Sequence, residues 1–305
     1  MGKIAFVFSG QGAQYSGMGR ELHHNVPCSA DVFRRADRIR PGTSAQCFDG
    51  AEEELTLTTN TQPCMFAMEL AAAAAVEASG IKADMTAGFS LGVIAALTHS
   101  GAVSFEDGFR MVALRGELMA DDFKAVDSTM AAVLKLDART VENLCTQFEH
   151  VYPVNYNCPG QITVSAFRSE LDDFMKAVKA AGGRAIPLKV EGGFHAPFME
   201  AGAQKFSGAL KEFAFKTPEI TLYSDYTGLP YDGDFAGLLS KQICSPVRWQ
   251  NIVEHMINNG ADTFIELGPG KTLCGLISKI DSGVRTFHVE DLESLNETVR
   301  EVKPC

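Results

Sequence analysis

The five residues Gly88-Phe89-Ser90-Leu91-Gly92 constrain the fold of this chain more than any other stretch. They join a short apolar run, "DMTAGFS", to an Ala-rich one, "LGVIAALTHSGAVS". The first reads as a strand and the second as a helix. A strand that turns straight into a helix is a joint of an α/β sheet. Glycine on each side of the serine lets the two elements pack closely, with the serine strained at the apex. Its hydroxyl then projects above the sheet. The Leu91 N–H points into the same space at a helix N-terminus, where developing negative charge is favoured. A plain Gly-bounded turn uses the same letters, so the five residues alone leave both readings open.

The surroundings extend the α/β pattern. "KIAFVFSG" reads as a buried strand and "GQGAQYSGMGREL" as a turn into a helix. "QPCMFAMELAAAAAVEASG" is a long helix stopped at Gly80, and "SFEDGFRMVALRGELMADDF" is another with Ser104 as N-cap. The rhythm changes after Lys124 and Ala125. "TMAAVLKLD", "ARTVENLCTQFEH", "VYPVNYN", "ITVSAF", "SELDDFMKAVKAAGG" and "RAIPLKVE" alternate in the order βαββαβ, a ferredoxin-like unit, with Ser169 as the cap of its second helix. The expected organisation is a hydrolase-like parallel-sheet α/β core at 1–125 and 195–305, interrupted by a small unit at 126–194. "ITLYSDYTG" and "GADTFIELGPG" read as further core strands, the latter running into the helix "KTLCGLISKI".

Bulk properties exclude several classes. A net charge of −11 over 305 residues repels nucleic acid and anionic membrane surfaces. No apolar run approaches the ~18 residues of a membrane span, and the N-terminus lacks the core of a signal peptide. The eight cysteines, Cys28, Cys47, Cys64, Cys145, Cys158, Cys244, Cys274 and Cys305, form no C-x-x-C and no zinc spacing with histidine. They read as reduced thiols of a cytoplasmic protein. Gly270-Lys271-Thr272 lacks the glycine five residues earlier that a full G-x-x-x-x-G-K-[ST] loop has, and G-x-G-x-x-G is absent, so a phosphate cradle is not expected.

A nucleophilic serine needs a base. His23, His24 and His255 fall in polar, helix-like contexts and read as surface residues; His99 closes the helix after Ser90, where it suits the dipole. His195, in "EGGFHAPFM", stands in a Gly-rich loop where the small unit rejoins the core, the kind of junction where sites form. A packed loop histidine would have the same sequence. Gln11, in "SGQGAQ", follows the first strand and so belongs at the carboxyl edge of the sheet with Ser90. Arg115, in "VALRGELM", lies on an apolar helix stretch; turned inward it requires a carboxylate, which a substrate can supply.

Taken together, "FVFSGQGAQYSGMG", "TQPCMFAMEL", "GFSLGVIAAL", "VALRGELM", "NYNCPGQITVS", "GGFHAPFM", "QICSPVRW" and "ELGPGKTL" resemble the malonyl-CoA:acyl carrier protein transacylases, in order and spacing, over nearly the whole chain. The resemblance implies Ser90 as nucleophile and His195 as base. It implies an oxyanion hole from the backbone N–H groups of Gln11 and Leu91, and Arg115 as partner of the malonyl carboxylate. A backbone carbonyl at Gln242 would orient the histidine in place of an aspartate, and Phe194 matches the position of a selectivity residue. Phe89 and Val93 depart from the family's usual His and Glu, and Gly193 from its usual Ala or Ser. The implied reaction is ping-pong transfer of malonyl from malonyl-CoA to acyl carrier protein for fatty acid synthesis, without metal or redox cofactor. An acyltransferase acting in trans on a polyketide synthase, an acyl hydrolase of the same fold and a non-catalytic carrier-docking protein are the alternatives. Arg115 speaks against a hydrolase of neutral acyl groups, and the intact Ser90, His195 and Arg115 set against a docking protein.

Overall fold

The computed structural model describes residues 2–302. Strand β1 (Lys3–Phe8) lies at the middle of a parallel sheet. It pairs on one side with β2 (Met85–Gly88) and on the other with β8 (Ala261–Leu267). β7 (Thr221–Leu222) and β9 (Arg285–Val289) add outside these, giving the order β7-β2-β1-β8-β9. The alternation along β1 divides two apolar layers. Phe6 and Phe8 pack with α5 (Thr58–Ala78), α6 (Gly92–His99) and α7 (Phe105–Ala125). Ala5 and Val7 pack with α12 (Trp249–Asn258) and α13 (Thr272–Ile280). Both faces are therefore covered, as a parallel sheet requires.

The second sheet is antiparallel, in the order β4-β5-β3-β6, built from β3 (Ser128–Leu134), β4 (Val151–Cys158), β5 (Gln161–Phe167) and β6 (Arg184–Pro187). Its apolar face holds Val133, Ile162 and Val164 against Leu171, Phe174 and Val178 of α9 (Arg168–Ala180) and Val141 of α8 (Ala138–Cys145). The ferredoxin-like βαββαβ order is thus present, within 128–187. β4 also reaches the core: the Tyr156 N–H donates to Val247 O and the Val247 N–H to Val154 O. The small sheet is hydrogen-bonded to the segment that follows α11 (Phe235–Ile243).

Several local expectations need correction. Residues 11–19 stay in turns, and the first helix, α1 (Arg20–Asn25), starts only after two left-handed glycines, Gly17 and Gly19. Ser169 lies inside the first turn of α9, whose N-cap is Phe167. "ITLYSDYTG" forms only the two-residue β7, because Tyr223 onward bends toward the site described below. Two others hold: Ser104 caps α7 by accepting the Asp107 N–H at 3.1 Å, and Gly80 follows the end of α5 with φ 86°. Cys305 lies outside the described residues.

Candidate active site

Ser90 has φ 53°, the left-handed conformation that a non-glycine residue rarely adopts. The flanking glycines make the turn possible. A Cβ at Gly88 would sit 2.0 Å from Gly92 C, and one at Gly92 would sit 2.5 Å from Phe8 O and Ser9 O. The chain therefore passes from β2 to α6 in contact with the end of β1. Leu91 begins α6 as its N-cap, with its side chain in the core. Gln11 lies in the turn after β1 and is anchored by its side chain, Nε2 donating to Thr58 Oγ1 at 3.2 Å. Among the described residues no protein group accepts the Gln11 or Leu91 backbone N–H.

His195 is buried and also left-handed, with φ 60°. Its Nδ1 is 2.8 Å from the backbone carbonyl of Gln242, at the end of α11. A carbonyl only accepts, so Nδ1 carries the proton and Nε2 has a free lone pair. That lone pair faces Ser90 Oγ at 2.7 Å. Burial, and then the nearby Arg115 charge, lowers the imidazole pKa to about 3, which keeps the ring neutral and able to accept a proton.

Arg115 points inward from α7 and is 1% exposed. Its three partners are uncharged: Nη1 donates to Gln62 Oε1 (3.0 Å), and Nη2 to Gln242 Oε1 (3.0 Å) and Ser90 Oγ (3.2 Å). Desolvation lowers its pKa to about 10, still charged at neutral pH. The guanidinium thus lacks a contacting carboxylate and lies beside the hydroxyl. Gln242 does more than orient the histidine. Its Nε2 donates to Ser90 O and to Asp225 Oδ2, each at 2.9 Å. Asp225 Oδ2 also accepts the Ser90 N–H at 3.0 Å.

Ser90, Arg115 and His195 line a cavity of about 90 Å³ together with Gln11, Gln62 and Phe194. Phe194 closes it with its ring edge-on to Phe123, centroids 5.0 Å apart. A larger cavity, about 360 Å³, adjoins it through Gln11, Phe89, Asn155, Leu188 and Val190. Phe89 forms a wall of both and packs edge-on against Trp249. Val93 is buried inside α6 and lines neither. In the larger cavity the side-chain carbonyls of Asn155 and Asn157 are buried without a partner among the described residues. Gly193 packs against Phe198 and Ser165, with no room for a Cβ.

His255 and His23 are less exposed than their polar contexts suggest, whereas His99 closes α6 as expected. His255 is half-buried, its Nδ1 bonded to Tyr223 OH at 3.0 Å, and His23 packs against Phe33 and Phe48. His99 is enclosed by Phe6 and Phe8 with Nε2 on Glu77. Only His195 reaches the serine. Sequence reasoning assigned no role to Gln62, Asn155, Asn157 or Asp225. The first three stand in the quoted motifs "TQPCMFAMEL" and "NYNCPG", where polar residues interrupt apolar runs, which is a usable signal. Asp225, in "YSDYTG", reads as a turn residue and carries none.

A serine on a strained strand-to-helix turn, a neutral histidine on its hydroxyl and two N–H groups beside it without a partner among the described residues are the parts that acyl-group transfer through a serine requires, and the acyl transferase domain family model matches residues 5–295. The chain belongs to the malonyl CoA-acyl carrier protein transacylase family. It is 37% identical to the malonyl CoA-acyl carrier protein transacylase of Bacillus subtilis over 311 aligned positions, covering 99% of this chain and 98% of the relative. The crystal structure of the transacylase from Clostridium perfringens is similar at TM-score 0.94 and 37% identity, covering 98% of this chain and 97% of the other. A malonyl-transacylase solved in complex with its type II polyketide synthase acyl-carrier protein is similar at TM-score 0.94 and 31% identity, covering 99% and 100%. No helix among the described residues is long and apolar enough to cross a membrane.

Proposed function

We propose that the protein transfers the malonyl group of malonyl-CoA to the phosphopantetheine thiol of acyl carrier protein, in the cytoplasm, supplying extender units for fatty acid synthesis. The observation that carries this reading is Ser90 Oγ, bonded to His195 Nε2 at 2.7 Å and to Arg115 Nη2 at 3.2 Å. One oxygen thus meets both a base and a carboxylate-binding cation.

In the first half-reaction Ser90 Oγ attacks the thioester carbonyl while His195 Nε2 takes the hydroxyl proton. The carbonyl oxygen becomes an oxyanion, received by the N–H groups of Gln11 and Leu91. The C–S bond then breaks and His195 protonates the departing CoA sulfur. In the second half the carrier thiol gives its proton to His195 and its sulfur attacks the seryl ester. The Ser90 oxygen leaves and recovers the proton. Arg115 holds the malonyl carboxylate throughout, and a bidentate fork suits that group. The larger cavity accepts the pantetheine arm, whose amide N–H groups would pair with the unpartnered Asn155 and Asn157 carbonyls. Thioester exchange has no net redox change, so the cycle needs no redox cofactor, and His195 with the Gln11 and Leu91 N–H groups takes the activating and charge-stabilising parts a metal would otherwise play.

Intact-mass analysis after incubation with malonyl-CoA tests the reading. A malonyl adduct mapping to Ser90 and removed by carrier protein is expected. An adduct that survives in Ser90→Ala, or maps to a cysteine, refutes it.

A further inference from the structure

Asp225 is fully buried on the segment after β7, behind the elbow and out of reach of a substrate. Its two oxygens differ. Oδ2 accepts two N–H groups, from Ser90 and from Gln242 Nε2, whereas Oδ1 has no partner among the described residues. The Gln242 amide is fully engaged, with Nε2 on Ser90 O and Asp225 Oδ2 and Oε1 on Arg115 Nη2. The opposite orientation of that amide would set an oxygen against a carboxylate, so the direction of the chain Asp225–Gln242–Arg115 is settled by chemistry. A buried cation with only neutral contacts thus has a buried carboxylate one amide away.

We propose that Asp225 is a positioning residue that serves as the counter-charge of Arg115 while the acyl pocket is empty, and that it is neutralised by taking up a proton from solvent when an acyl carboxylate occupies the pocket. This inference rests on the reading that Arg115 binds the malonyl carboxylate. The geometry allows the change without disturbing the elbow. A proton on Asp225 goes to the partnerless Oδ1, and Oδ2 keeps both N–H groups. Two carboxylates facing one desolvated guanidinium repel each other, and protonating the inner one removes the repulsion. The groups around Asp225 are consistent with such a switch. Arg115 on α7 is its cation, Gln242 on α11 and the Ser90 backbone are neutral donors, and the Arg248 N–H bonds the Asp225 backbone carbonyl while the Arg248 guanidinium is exposed. Tyr231, half-buried near it, is held in the neutral phenol form by desolvation and by Asp225 itself. Desolvation, partly offset by Gln242 and Arg115, raises the Asp225 carboxyl to about 6, within reach of such a change.

The consequence is a pH-dependent preference for acyl groups that carry a carboxylate. Comparing malonyl-CoA with acetyl-CoA as a ratio of kcat/KM cancels His195 and the CoA moiety, which both substrates share. In the wild-type protein the malonyl-to-acetyl ratio is expected to fall about tenfold as pH rises from about 5 to about 8, the scale set by a unit charge at this remove in a medium of effective dielectric about 20. The change should lie in KM for malonyl-CoA rather than in kcat. Asp225→Asn keeps an oxygen for both N–H groups and deletes the charge; its ratio should be independent of pH and stay at the wild-type acid value. Asp225→Ala removes the acceptor as well, so kcat should fall with both substrates, and Asp225→Asn should rescue it. A pH-independent wild-type ratio overturns the inference, and so does an Asp225→Asn ratio that follows the wild-type curve. The wild-type profile needs no variant to fold. If Arg115→Ala abolishes the malonyl preference while these profiles stay flat, only the Asp225 inference fails; if Arg115→Ala retains that preference, both fail.

Discussion

At the scale of single residues, the site depends on two side chains held in conformations that cost energy. Ser90 and His195 both have positive φ, and among the described non-glycine residues only Lys135 shares that property. Each such conformation costs of order 1–3 kcal/mol and persists because the surroundings over-determine it. For His195 the surroundings are the Gln242 carbonyl and a buried pocket, which orient the neutral ring without the stabilisation an aspartate gives to the imidazolium. Replacing His195 by Ala should lower malonyl transfer by roughly 10²–10⁴-fold, the usual contribution of a positioned acid–base group. Steady-state transfer to carrier protein measures it, and a nearly unchanged rate would mean that another base serves. Arg115→Ala should reduce kcat/KM for malonyl-CoA by about 2–4 kcal/mol, because the substrate carboxylate loses its buried partner. Acetyl-CoA use should hold or improve, since no unpaired cation remains in the pocket. Equal losses with the two substrates would make Arg115 a structural residue.

At the scale of elements, the β2–Ser90–α6 joint is where packing becomes chemistry. Gly92 touches the end of β1 and Gly88 touches Gly92, so the turn is as tight as backbone atoms allow. Gly92→Ala must push α6 away from Phe8 and Ser9. Overpacking of this kind costs about 1–3 kcal/mol in stability. Acylation should suffer more than stability, because the Leu91 N–H moves with the helix. Urea denaturation and the rate of adduct formation, measured on the same variant, separate the two effects; normal acylation would show that the helix position is not critical. The cap of α7 supplies a contrast far from the chemistry. Ser104→Ala should cost about 1 kcal/mol through the lost acceptor for the Asp107 N–H, with acyl selectivity retained.

At the scale of the whole molecule, a buried carboxyl outside the reaction stands among the described residues with neither oxygen hydrogen-bonded. Glu69, on α5, lies fully buried with neither carboxylate oxygen bonded, near Glu266 of β8, which itself accepts the N–H groups of Leu273 and Cys274 at the start of α13. Burial first, and Glu266 second, holds the Glu69 carboxyl well above its usual range, so it is protonated in the folded protein. In the unfolded chain it ionises near its ordinary value of 4.5. Between these two values the folded state binds the extra proton, so the part of the stability that depends on Glu69 is fully present below about pH 4 and declines as pH rises. Glu69→Gln cannot ionise. Its stability relative to wild type should therefore increase from about pH 5 to about pH 8 in urea titrations. A difference independent of pH would show that Glu69 is ionised in the fold or screened from it.

The residue pattern alone determined a good deal. Short apolar runs ended by Ser and Gly placed β1 and β2, longer apolar runs with caps and glycine stops placed α5, α6 and α7, and the order of these runs separated the parallel core from the βαββαβ unit. The glycines around Ser90 announced a tight joint, since only they avoid the backbone clash measured there. Other features depended on contacts between residues distant in the chain. Ser90 and His195 are 105 residues apart and meet because the small sheet is hydrogen-bonded through β4 to the segment after α11. That Arg115 turns inward follows from Gln62 and Gln242 accepting its N–H groups, which no spacing within α7 could reveal. Asp225 was illegible for the same reason: an aspartate before a turn ordinarily faces water, and only the tertiary fold places this one beneath the elbow, where low dielectric makes its single charge count.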